Sequence, residues 1–268
     1  MSRAPSGGAH HGISDERGVS DVVGYVLVFT LVTATLTAVF AVGFVGLEER
    51  QNAERVENVE RAFDVLDDNI RDIQRYEDPS RATEIRLSGG TMSLETHTTV
   101  VLEYENETTA FEERLPMSTL TYTNDETTLA YEGGAWFRVD GGRTTMRSPP
   151  RFVAAGEQIV LPVVRLLQRD DQPSIRSDGT VQVGTETRGT RTLRYAAQDS
   201  EHVTAIRIES PYADAWKAHF EMLNGSEGGL GSDIGNVSAP GDGEVVVDIE
   251  PDRTVYLRVI GVDVSLRE

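Results

Sequence analysis

The chain has 268 residues and a mass of 29.4 kDa, with 25 basic against 44 acidic residues and a formal charge of −19. That length supports a hydrophobic core without covalent staples, and the absence of cysteine excludes disulfides, thiolate metal sites and thiol nucleophiles. The acid excess opposes binding to polyanions, so no nucleic-acid partner is expected.

Met1 to Gly12 is a Gly/Ser/His/Ala tail without periodicity, expected to be disordered. A short polar stretch follows, Ser14-Asp15-Glu16-Arg17-Gly18, and then Val19-Ser20-Asp21-Val22-Val23-Gly24. From Val22 to Leu47 there are 26 consecutive residues without Asp, Glu, Lys, Arg or His. As a helix this run is about 39 Å long, enough to cross a hydrocarbon layer of roughly 30 Å. It is longer than the apolar region of a cleaved secretory signal. A polar leader that ends in a charged residue and glycine and abuts such a helix resembles the class III signal peptide of archaeal type IV pilin-like proteins. The resemblance covers about residues 13 to 50. It implies cleavage by a prepilin peptidase between Gly18 and Val19, next to Arg17, with the helix kept on the mature chain. Asp21 stands where haloarchaeal members often carry proline. The preference for arginine over lysine, with Lys217 the single lysine, is similar to halophilic archaeal proteins. The small residues Gly24, Ala34, Ala38, Ala41, Gly43 and Gly46 suit close helix packing, against copies of the chain or other pilin-like subunits.

Beyond the apolar run, Val56, Val59, Phe63, Leu66, Ile70 and Ile73 recur at spacings of 3, 4, 3, 4 and 3. This is an amphipathic stripe of heptad type, with acids and arginines on the other faces. It predicts a stem that either forms a coiled coil or packs on its own domain. Asp78-Pro79 ends the helix, because a residue before proline avoids the α region. The predicted organisation is a leader at 1–18, a transmembrane helix at 19–47, a stem at 48–78 and an external domain at 79–268.

In that last segment short alternating runs are separated by glycine pairs. Thr83 to Ser88 and Thr91 to Thr96 flank Gly89-Gly90; Thr127 to Tyr131 and Ala135 to Val139 flank Gly133-Gly134; Gly141-Gly142 follows. Each pair predicts a hairpin turn. Further strands are expected at 100–104, 120–123, 158–167, 180–187, 203–209, 244–249 and 255–260. One helix is expected from Ser210 to Leu223, with Tyr212, Trp216, Phe220 and Leu223 on the face toward a sheet. Gly225 to Gly243 reads as a flexible loop. The fold class is therefore α+β: a long transmembrane helix with an amphipathic extension, then a mainly antiparallel, sandwich-like β head carrying one packed helix.

No phosphate-binding glycine loop, Gly-x-Ser-x-Gly elbow or His-Glu-x-x-His helix is present. His97, His202 and His219 are isolated, and the acidic positions Asp170, Asp171, Asp233, Asp242 and Glu244 match no EF-hand loop. No enzyme, metal or cofactor is predicted. The sequons at Asn106, Asn224 and Asn236 are glycosylation candidates and point to an external C-terminal domain. The expected function is a pilin-like surface protein, a minor subunit of a type IV pilus-like filament or an adhesion component. The alternative is an anchored external β-domain that does not polymerise.

Overall fold

The computed structural model describes the backbone of residues 16–76, 79–106, 108–124, 127–196, 202–225 and 233–268, and within the first helix the side chains of 22–41 and 50–76. The leader as far as Asp15, Asp78, Glu107, Ser226 and the side-chain surroundings of Gly43 and Gly46 lie outside the described residues. Two compact units divide at Glu54/Arg55, inside the helix α1, Glu16–Tyr76.

In the first unit, every described side chain from Val22 to Ala41 is exposed. This segment has a mean hydropathy of 2.1 and the length to cross a membrane once.

The second unit is α+β. Its strands are β1 (Ser80–Arg86), β2 (Thr91–Glu105), β3 (Ala110–Asn124), β4 (Thr127–Glu132), β5 (Ala135–Asp140), β6 (Arg143–Ser148) and β7 (Val153–Ala155). They continue with β8 (Gln158–Gln168), β9 (Ser174–Arg176), β10 (Thr180–Tyr195) and β11 (His202–Glu209). Helix α2 (Ala213–Asn224) precedes β12 (Ile234–Ser238), β13 (Glu244–Ile249) and β14 (Thr254–Arg267). All belong to one sheet, whose main path runs β1-β10-β14-β8-β3-β2-β11-β13-β12. The β14–β8 pair is parallel and the others are antiparallel.

The long strands serve two cores. In β14, Val255, Leu257 and Val259 enter one core, whereas Ile260, Val262, Val264 and Leu266 enter the other. The parity changes at 259/260, and because successive strand residues point to opposite faces, the cores lie on opposite sides of the sheet. β8 changes parity in the same way, between Val163 and Val164. Helix α2 covers the first core with Trp216 and Phe220. The stem covers the second with Val59, Phe63, Leu66, Ile70 and Ile73, all at most 2% exposed. Each such side chain contributes about 1.5–3 kcal/mol by burial. The stem stripe is thus filled by the chain's own sheet, which resolves the two predicted uses of it, and the compact unit begins at Arg55 within the predicted stem.

Two sequence expectations are corrected. Gly89-Gly90 does not close a hairpin: β1 pairs with β10, and β2 pairs with β3, β11 and β9. The turn instead bonds to the segment before β10, through Leu87 N–H to Gly179 O at 2.9 Å and Gly89 N–H to Ser177 O at 2.9 Å. The other glycine pairs do turn hairpins, with positive φ at Gly133, Gly134, Gly141 and Gly142. The predicted loop 225–243 contains strand β12, which pairs Ile234 with Ile249 and Val237 with Val247.

Candidate functional site

The exposed apolar span carries the clearest functional chemistry. Three of its threonines bond back to the helix, as a low-dielectric surrounding favours. Thr30 Oγ1 donates to Val26 O at 2.7 Å, Thr35 to Leu31 O at 2.9 Å and Thr37 to Thr33 O at 2.8 Å. Ala34, Ala38 and Ala41 fall at i, i+4 and i+7, so they form one small-residue face, and all three are exposed. A side chain added at Gly24 would meet nothing within 4 Å. Arg17, Gly18 and Val19 fall in the first turn of α1.

The stem brings polar groups to the edge of its core. Trp136 Nε1 donates to Asp64 Oδ1 at 3.2 Å, and Arg138 pairs with Glu60 and with Asp140. Asp67 is 3% exposed; its Oδ2 accepts from Ser148 Oγ at 2.7 Å and lies 3.0 Å from Arg71. Burial raises the Asp67 pKa above the ordinary aspartate value of 3.8, against the lowering effects of Ser148 and Arg71. The buried Tyr131 hydroxyl is pushed well above its usual value by desolvation and by the Asp67 charge.

On the other side of the β4–β5 hairpin, Glu132 is wholly buried. Its carboxylate accepts from Thr98, from Thr119 Oγ1 at 2.9 Å, from Ser210 Oγ at 2.5 Å and from Trp216 Nε1 at 2.9 Å. A buried charge with four donors is a rivet between the hairpin, the sheet and α2. The Tyr212 hydroxyl is pushed up to about 12 by burial and the Glu132 charge. Sequence reasoning missed Glu132 because Glu132-Gly133-Gly134 reads as an exposed turn.

The aromatic stripe of α2 packs on the sheet: Tyr212 stacks on Phe137 at 5.1 Å and Phe220 on Phe152 at 5.6 Å, with Leu223 partly buried beside them. His97 pairs with Glu95 at 2.6 Å, His202 with Glu105 at 3.4 Å, and burial lowers the His219 pKa. Among the described residues no three His, Asp or Glu side chains are grouped as metal ligands. Arg253 Nε lies 2.7 Å from Asp233, and Arg207 3.4 Å from Glu244.

The sequon asparagines differ in engagement. Asn106 Oδ1 accepts from Thr108 N–H at 3.1 Å and Thr109 N–H at 2.8 Å in the β2–β3 turn. Asn224 Nδ2 donates to Gly235 O at 2.9 Å, and Asn236 is exposed on β12.

An uncharacterized protein of Archaeoglobus fulgidus is 32% identical over 79 residues, covering 30% of this chain and 26% of that protein, so the chain spans about a quarter of its relative's length. No solved structure matches. A family profile matches residues 17–265, and the chain belongs to that family, DUF7289, a family of unknown function.

Proposed function

We propose that this is a pilin-like cell-surface protein: a minor or accessory subunit of a type IV pilus-like filament or of an adhesion structure, processed by a prepilin peptidase, with residues 48–268 outside the cell. The observation that carries the proposal is the fully exposed apolar segment from Val22 to Ala41, which requires either lipid or other helices around it. The stem stripe is already covered by the sheet, so self-association falls to this segment and its Ala34/Ala38/Ala41 face. The sequons at Asn106, Asn224 and Asn236 support the external placement.

The same burial of the stem favours a second reading, an anchored β-domain that stays in lipid as a monomer. Both readings need the membrane helix. They share no requirement for a cofactor, metal or enzymatic site.

Processing separates the pilin-like reading from an ordinary anchor. N-terminal sequencing of the membrane-extracted protein should give a chain starting at Val19. A mature chain that retains Met1 or Ser2 in peptidase-competent cells contradicts it.

A further inference from the structure

On the outer part of the β10–β14–β8 layer, Gly189 pairs with Gly261, and Gly261 pairs on its other side with Arg165. Two adjacent glycines leave a floor without side chains, at the register shift between Thr187 and Gly189. Gly189 has φ +144, a conformation reserved for glycine, and a Cβ on Gly261 would stand 3.4 Å from Arg188 Cβ and 3.5 Å from Gly189 O. The result is an open trough of about 460 Å³, with Arg165, Arg188 and Arg191 around it and the apolar side chain of Leu115 in one wall.

Three arginines converge on the trough, and two of them are paired with carboxylates at its edge, Asp263 and Glu113, so the local positive charge rests on Arg165. Their existing bonds leave most donors over. Arg188 reaches Asp263 at 3.1 Å through one nitrogen, and Arg191 reaches Glu113 at 3.3 Å through one nitrogen. Arg165 donates its Nε to Pro116 O at 2.7 Å, which fixes the guanidinium while its outer nitrogens meet no acceptor among the described residues. A guanidinium fork fits an oxyanion in bidentate fashion. The trough volume lies in the range of small-molecule sites, and an apolar wall beside the charges suits a ring that a bare ion would not need.

We propose that this trough binds an acidic saccharide, its carboxylate or sulfate held by Arg165, Arg188 and Arg191 and its ring seated on the glycine floor beside Leu115. The site is independent of whether the chain polymerises, because every group in it belongs to one β-domain.

The test is calorimetric titration of the full chain in detergent micelles at fixed ionic strength, with trigalacturonate, neutral maltotriose and inorganic sulfate as probes. Trigalacturonate should bind, maltotriose should not, and sulfate should bind more weakly. Arg165→Gln and Arg191→Gln should each weaken trigalacturonate binding by about tenfold or more, and Arg143→Gln, at the exposed start of β6, should leave it unchanged. Gly261→Val should block the trisaccharide while sparing sulfate. Arg191 is 62% exposed, so its variant carries the test if Arg165→Gln does not fold. Sulfate binding as tightly as trigalacturonate overturns the saccharide assignment and leaves an oxyanion site. Failure of both anions to bind the wild-type chain, or binding that survives both arginine substitutions, overturns the site.

Discussion

Replacing Phe63 by alanine tests whether the stem is a core element of the β-domain or a seam for another chain. Phe63 is fully buried and its ring lies 6.1 Å from that of Trp136, among Leu66, Ile70, Tyr131 and Val164. Truncation removes the buried ring and leaves a cavity in a sheet-and-helix contact that cannot collapse freely, a loss of about 3–5 kcal/mol. For a domain of ordinary stability, roughly 5–15 kcal/mol, this is a large fraction. Val65, two positions on and 52% exposed, provides the control, and Val65→Ala should change stability by less than about 0.5 kcal/mol. Denaturant unfolding of the full chain in detergent, followed by tryptophan fluorescence, reads both. Wild-type midpoints should not depend on protein concentration, since the stripe is covered within one chain. A Phe63→Ala loss no greater than that of Val65→Ala, or a midpoint that rises with concentration, would refute the intramolecular packing.

Glu132→Ala should destabilise by at least about 3 kcal/mol, because four buried donors lose their acceptor, while Glu132→Gln, which keeps the shape and one accepting oxygen, should cost less; thermal unfolding ranks the two. Asp67 binds its proton more tightly in the folded state than in the unfolded chain, so its favourable contribution is present below 3.8 and is lost as pH rises through the raised native value. Wild type should therefore lose stability relative to Asp67→Asn as pH is taken from acid toward neutrality, and parallel pH–stability curves for the two chains would contradict the assignment. Gly90→Ala should also destabilise, since its Cβ would fall 2.4 Å from the Tyr122 ring, whose hydroxyl is fixed on Leu87 O at 3.0 Å; unchanged melting would show that the ring can give way.

The α+β class, the apolar helix, the α2 aromatic face and most strands are legible in the sequence because periodicity and turn chemistry are local. What covers an apolar face is not local. The Val56-to-Ile73 stripe has the same spacing whether it meets a second stem or its own sheet, and the surface that fills it is assembled from strands far apart in sequence, from Ile85 on β1 to Leu266 on β14. Gly89-Gly90 marks a reversal of the chain without naming the strand that follows as a partner, and β1 finds β10 almost a hundred residues away, Ile85 opposite Val181. Strand β12 is five residues long, too short for alternation to stand out among glycines. Glu132 and the arginine trough are assembled by register. Arg165 interrupts the apolar run Ile159 to Leu167, a visible signal, but nothing in the sequence places it beside Gly261 and Gly189.

The filament proposal turns on whether residues 19–47 leave lipid to pack against other helices. Shearing of intact cells, followed by sedimentation and mass analysis, tests this most directly. The expected result is release in high-molecular-weight particles that retain residues 19–47, with Ala38→Leu reducing release by overpacking the small-residue face while membrane insertion persists. Recovery of the protein only as detergent-soluble monomers, with surface fibres unchanged when it is deleted, would contradict the filament and leave the anchored β-domain.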